Sequence, residues 1–123
     1  MQIVRCIAMA STIAFITGCS LFVPKETRFL MSARHQATQE QVKEKMGKPI
    51  TSQVTPAGDT MWVYHVREIQ PGNYMTAPGE WCDEYALMFD RQGVLQDWVH
   101  RSYFHGGELM PTYCVPDGLS PKP

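Results

Sequence analysis

The chain has 123 residues, with 11 Lys and Arg against 12 Asp and Glu, so its formal net charge at pH 7 is −1. This balance, with no Lys/Arg run, argues against a nucleic-acid partner. The length fits one domain with a modest core, and after Cys19 no apolar stretch approaches membrane-spanning length.

Arg5 followed by the apolar run Ile7 to Ile16 has the layout of a signal peptide. The run is far shorter than the roughly 20 residues a membrane-crossing helix needs. It closes on Ile16-Thr17-Gly18-Cys19, which resembles the lipobox of bacterial lipoproteins. An ordinary secretory signal with a chance cysteine is the alternative. In the lipoprotein class Cys19 carries the lipid, and several acyl chains together give stable attachment where one myristoyl chain gives only marginal binding. Ser20 in place of Asp favours the outer membrane under the sorting rule of enteric-type lipoproteins. The expected organisation is a signal peptide over 1–18, a lipid-anchored linker over 19–36, an α+β domain over 37–105 and a Gly/Pro-rich tail over 106–123. The protein is expected to face the periplasm.

From Ser20 to Gln36 the pattern is weak, with a short helix expected around Arg28 to Arg34. Thr38-Gln39-Glu40-Gln41 then matches a capping box, in which a Thr hydroxyl and a Gln amide satisfy opposed backbone N–H groups. Val42 and Met46 share one face of the helix that follows, Gly47 stops it and Pro49 prevents continuation. Two turns of helix do not survive alone in water, so this helix must dock. Ile50 to Val54 is extended but polar, and Thr55 to Asp59 breaks the chain. Met61 to Val66 reads as a strand, with Trp62, Tyr64 and Val66 on one face. Gln70 to Gly79 is a long loop. Tyr85 to Phe89 is the next strand, Asp90 to Gly93 a tight hairpin connection, and Val94 to Tyr103 the third strand. One or two short N-terminal helices packed on a three-stranded antiparallel sheet make an α+β fold. Trp62, Tyr64, Tyr85, Phe89 and Trp98 are the expected core beneath the helix, and the tail from Gly106 has little to fold with apart from Cys114.

With Cys6 in the leader and Cys19 acylated, Cys82 and Cys114 remain. Two thiols in an oxidising compartment are a disulfide candidate; free or intermolecular thiols are the alternatives.

Thr38-Gln39-Glu40-Gln41-Val42, Met46-Gly47-Lys48-Pro49, Asp59-Thr60-Met61-Trp62-Val63-Tyr64 and Phe89-Asp90-Arg91-Gln92-Gly93-Val94-Leu95 follow one another in the order seen in the BamE (SmpA/OmlA) lipoproteins. Gln70-Pro71-Gly72 is similar to that family too, and the likeness spans about residues 37 to 100. Ala37, Val66, the tail and the two cysteines depart from its pattern. The resemblance implies a helix–helix–strand–strand–strand fold. It also implies an accessory role in the machine that inserts β-barrel proteins into the outer membrane, with contacts to that machine's lipoprotein subunit and to membrane lipid. The same fold serves other binding roles, so a stand-alone envelope lipoprotein acting as an inhibitor or a cell-wall-associated module is the alternative.

No catalytic set emerges, and no cofactor, metal or small-molecule substrate is expected. A Cys–His pair can be written from Cys82 or Cys114 with His100 or His105, but paired cysteines offer no thiolate. His100, His105, Cys114 and Asp97 match no recurrent zinc spacing. Asp83 and Glu84, adjacent in a strand, point to opposite faces and read as a solvated strand entrance. The candidate partner surface is the long loop and its flanks, Arg67, Asn73, Tyr74 and Trp81, chosen by loop position, where exposure is expected and Tyr and Arg make good anchors; solvated loop residues without function are the alternative.

Overall fold

The computed structural model describes residues 23–107 and 111–118; the leader, Cys19, Ser20 and the end of the tail lie outside them. Its elements are α1 (Lys25–Ala33), α2 (Gln39–Met46), β1 (Thr51–Val54), β2 (Thr60–Gln70), β3 (Gly79–Phe89) and β4 (Leu95–Gly106). No helix among the described residues is long and apolar enough to cross a membrane.

Helix α2 starts as its sequence requires. Thr38 Oγ1 accepts from the Gln41 N–H at 3.3 Å, and the Gln41 side chain accepts from the Thr38 N–H at 2.9 Å. Gly47 ends it at a φ of 81°, a left-handed conformation in which a Cβ is unfavourable. Helix α1 has no side-chain cap; Pro24 precedes it and supplies the carbonyl that receives the Arg28 N–H. Leu30 and Ala33 are nonetheless buried in the core. The second half of the expected linker therefore belongs to the folded domain.

The connection between the helices is stitched to the β3–β4 hairpin. His35, at a positive φ of 64°, turns the chain and donates its N–H to the Leu95 carbonyl at 2.7 Å. Leu95 N–H returns to the Ala37 carbonyl at 2.8 Å, and Gln39 N–H reaches the Gly93 carbonyl at 3.0 Å. Gly93 sits at a φ of 79°, as the hairpin connection demands, and Asp90 Oδ1 receives the N–H groups of Gln92 and Val94 at 2.9 Å.

The sheet is an antiparallel meander of four strands in the order β1-β2-β3-β4, not three. The additional strand, β1, is the polar segment after Pro49. It carries no alternating apolar face and forms by backbone pairing alone, Thr51 opposite Val63 and Val54 opposite Thr60. Strands β2 and β3 are also longer than their apolar runs. Backbone pairing continues through Arg67, Glu68, Ile69 and Gln70 opposite Cys82, Trp81, Glu80 and Gly79. An irregularity between Met88 and Phe89 shifts the register against β4.

Alternation sorts the sheet's two faces. Trp62, Tyr64, Tyr85, Leu87 and Phe89 turn toward the helices and, with Leu30, Ala33, Ala37, Val42 and Leu95, form the core; Met46, Val66 and Trp98 pack against it. The expected aromatic core is found. Trp62 meets Phe89 edge-on at 4.8 Å between ring centroids. Tyr64 donates its hydroxyl to the Gly47 carbonyl at 2.8 Å, tying the end of α2 to β2.

Burial pushes the Tyr64 hydroxyl from 10.0 up to about 12. The unfolded phenol ionises near pH 10 and the folded one only about two units higher. The stability it contributes is thus complete below the lower value and is lost as pH rises through that window. Urea unfolding should show a loss on the order of 2 kcal/mol from this group across the window. Tyr64→Phe should remove that share of the alkaline loss.

Candidate functional site

At the far end of the β2–β3 hairpin Glu68, Ile69 and Trp81 are exposed. Its base is held by polar ties. Arg67 pairs with Glu80 at 3.2 Å, Trp81 Nε1–H donates to Gln70 Oε1 at 2.9 Å, and Gln70 Nε2–H donates to the Ala77 carbonyl at 2.6 Å. Asn73 shapes the tip: its side-chain oxygen receives the N–H groups of Met75 and Thr76 at 2.8 and 2.9 Å. The ring of Phe104 lies 5.0 Å from that of Trp81 and crosses Gly79, where a Cβ would fall 2.5 Å from it.

The four expected partner residues are not equivalent in this geometry. Arg67 lies on the face away from the helices, opposite Cys82 in register; Trp81 lies on the other face, opposite Glu68. Asn73 is occupied in the turn. All four are exposed, Tyr74 at 97 % and Trp81 at 38 %; Met75, next to Tyr74, is 78 % exposed and Ile69, near the end of β2, 86 %. Met75 and Ile69 were missed because strand and loop signals both discount single apolar residues among polar neighbours; the place of Met75 next to Tyr74 in the loop was the available clue.

On the face away from the helices the chain buries polar groups. Cys82 and Cys114 form a disulfide, with Cα atoms 5.2 Å apart, and both are buried. It pins the segment 111–118 across β3 and β4. His105, also buried, bonds the Cys114 carbonyl through Nε2 at 2.7 Å, and Arg101 donates to the Asp117 carbonyl at 3.1 Å. Tyr113 meets the rings of Tyr103 and His105 at 6.2 and 4.9 Å. The tail therefore has far more to fold with than Cys114.

Glu84 is the clearest correction. It is 2 % exposed rather than a solvated strand entrance, and its Oε2 lies 3.0 Å from His65 Nε2. Gly118 closes over the carboxylate so tightly that a Cβ there would come within 2.6 Å of Oε2. Asp83, on the opposite face as alternation required, bonds His100 Nε2 at 2.7 Å. His100 stacks on Tyr85 at 4.4 Å, and the Tyr85 hydroxyl pairs with Thr27 Oγ1 at 3.0 Å. Burial raises Tyr85 above its ordinary 10.0, the Thr27 hydrogen bond opposes that shift, and the Asp83 charge adds to it.

An Asp–His pair invites a catalytic reading, but among the described residues no thiol or hydroxyl hydrogen-bonds to His100. The ligand set drawn from His100, His105, Cys114 and Asp97 is not assembled. A different trio is: ligand atoms of His65, Cys82 and Cys114 lie within 4.8 Å of one another.

The disulfide closes a loop with a sequence separation of 32. Removing it by Cys114→Ser should lower unfolding free energy by about 3–4 kcal/mol in the chain-entropy account, read from urea midpoints against the oxidised wild type. No protein-family model, no curated protein and no solved structure matches the chain.

Proposed function

We propose that the chain is a non-enzymatic accessory subunit, held at the outer membrane through lipid on Cys19 and facing the periplasm. Its partner is a component of the machine that assembles β-barrel proteins there. The observation that carries a binding role is the hairpin tip: Ile69, Tyr74 and Met75 stand in solvent on a base held by Arg67–Glu80, Trp81–Gln70 and Gln70–Ala77. A rigid support with exposed apolar and aromatic side chains loses little entropy on docking, and Tyr, Trp and Arg dominate measured interface energies. The choice of partner rests on the lipobox and on the resemblance carried by the capped helix, the Trp62–Tyr64 strand and the Gly93 hairpin. Helix α1 begins at Lys25, so the chain from Cys19 to the domain spans at most about 20 Å when fully extended. That leash keeps the domain close to the membrane surface.

Purification of the lipidated protein from membranes in mild detergent should recover subunits of the assembly machine. A wild-type preparation that recovers none of them refutes the reading. The double variant Tyr74→Ser/Met75→Ser should weaken that recovery by at least about tenfold, the effect of losing a hot-spot contact, with an unchanged circular dichroism spectrum. Cys19→Ser should leave the fold intact and move the protein out of the membrane fraction. An unfolded Cys19→Ser protein would contradict the assignment of Cys19 to a tether.

A further inference from the structure

We infer that the buried disulfide is the oxidised form of a metal site: on reduction, Cys82, Cys114 and His65 bind a thiophilic divalent cation of the zinc type. This rests on the face away from the helices and not on the hairpin tip or the proposed partner.

The trio comes from three separate parts of the fold. His65 is on β2, Cys82 on β3 two register steps away on the same face, and Cys114 on the segment laid across the sheet. Their ligand atoms already lie within 4.8 Å of one another. In a tetrahedral site with zinc–sulfur bonds of about 2.3 Å, the two sulfurs stand roughly 3.7 Å apart. Both cysteines are buried, and after reduction Cys114 reaches that separation by shifting outward on its segment. Two thiolates and an imidazole are the donor set that zinc-type ions prefer over the carboxylate and carbonyl oxygens that hold magnesium or calcium.

Glu84 supports the same reading. Its carboxylate Oε2 lies 3.0 Å from His65 Nε2 and is itself buried. A carboxylate behind a histidine is the usual second partner of a metal-binding imidazole, fixing its tautomer and ring orientation. Zinc-type spacing was absent from the sequence because the ligands are separated by 17 residues and then 32, in three elements, with no Cys-x-x-Cys pair.

A dithiol reductant delivers two electrons and two protons, breaking the S–S bond and leaving as its own cyclic disulfide; Cys82 and Cys114 become thiols. Each thiol then loses its proton as the cation binds, so loading the site releases two protons. In the reverse step a disulfide oxidant accepts the two electrons and leaves as its own dithiol, the Cys82–Cys114 bond reforms and the metal is released.

The test uses the full-length chain carrying Cys6→Ser and Cys19→Ser, in detergent, reduced by a phosphine without oxygen and titrated with Co²⁺. The expected result is saturation at one equivalent, with sulfur-to-cobalt charge-transfer absorption and the intense visible bands of tetrahedral cobalt, both abolished by Zn²⁺. The oxidised protein should show neither. His65→Gln, which leaves both thiols in place, should weaken binding by at least about tenfold and shift the visible bands. Absence of the charge-transfer band overturns the inference. So does an unchanged titration in His65→Gln, which would mean thiols binding in an opened chain, and so does a cobalt-loaded protein that has lost the sheet signal of the oxidised form.

Discussion

Three backbone hydrogen bonds, from His35, Leu95 and Gln39 to the carbonyls of Leu95, Ala37 and Gly93, hold the helices on the sheet. Helices of nine and eight residues have no stability of their own in water. Their apolar faces are narrow: Leu30 and Ala33 on one, Val42 and Met46 on the other. What makes them fold is delivery onto the aromatic face of β2 and β3, and the stitched connection performs that delivery by behaving as a short strand beside Val94. Two side-chain bonds complete the attachment at its edges. Tyr64 holds the end of α2 through Gly47, and Tyr85 holds the start of α1 through Thr27. The core tyrosines thus place their rings in the interior and spend their hydroxyls on the helix termini.

The same strands present a quite different chemistry on their other side. Where the helix face is packed with Trp62, Tyr85, Leu87 and Phe89, the opposite face carries Cys82, Glu84 and His105, covered by the segment 111–118. An unpaired buried carboxylate is costly, and Glu84 is compensated by His65 one strand away. The disulfide adds a covalent constraint to this polar layer, and His105 ties the neighbouring backbone of Cys114. One sheet therefore separates an apolar core from a polar clasp, and period-two alternation along β3 places Tyr85 in the first and Glu84 in the second.

Which parts could be read from sequence follows from how local their causes are. The capping box of Thr38 and Gln41, the Gly47 stop, the Gly93 turn and the Trp62–Tyr64 alternation depend on neighbours within a few positions, and each appears where expected. Helix α1 was only half visible: Pro24 offers no side-chain cap, and its apolar residues reduce to Leu30 and Ala33 with Phe29 beside them. Strand β1 was visible as extended chain but not as a strand, because a polar edge strand has no apolar alternation to betray it. Glu84 was misread for a deeper reason. Its carboxylate is covered by Gly118, 34 positions along the chain, and no local pattern encodes that cover.

The clasp and the hairpin tip also meet in one place. Cys82 stands opposite Arg67, and the next two pairs outward are Trp81 with Glu68 and Glu80 with Ile69. Beyond that level β4 still pairs with β3, Trp81 opposite Phe104 and Gly79 opposite Gly106, and only the tip leaves the sheet, where two strands alone would be marginal in water. The exposed tip therefore needs a fixed base, and the structure supplies it from both faces. Phe104 packs against Trp81 on one side, while the disulfide and the residues around Cys114 close the other. Tyr74 and Met75 can then stand in solvent without loosening the strands beneath them, because the sheet is secured one register step below Trp81.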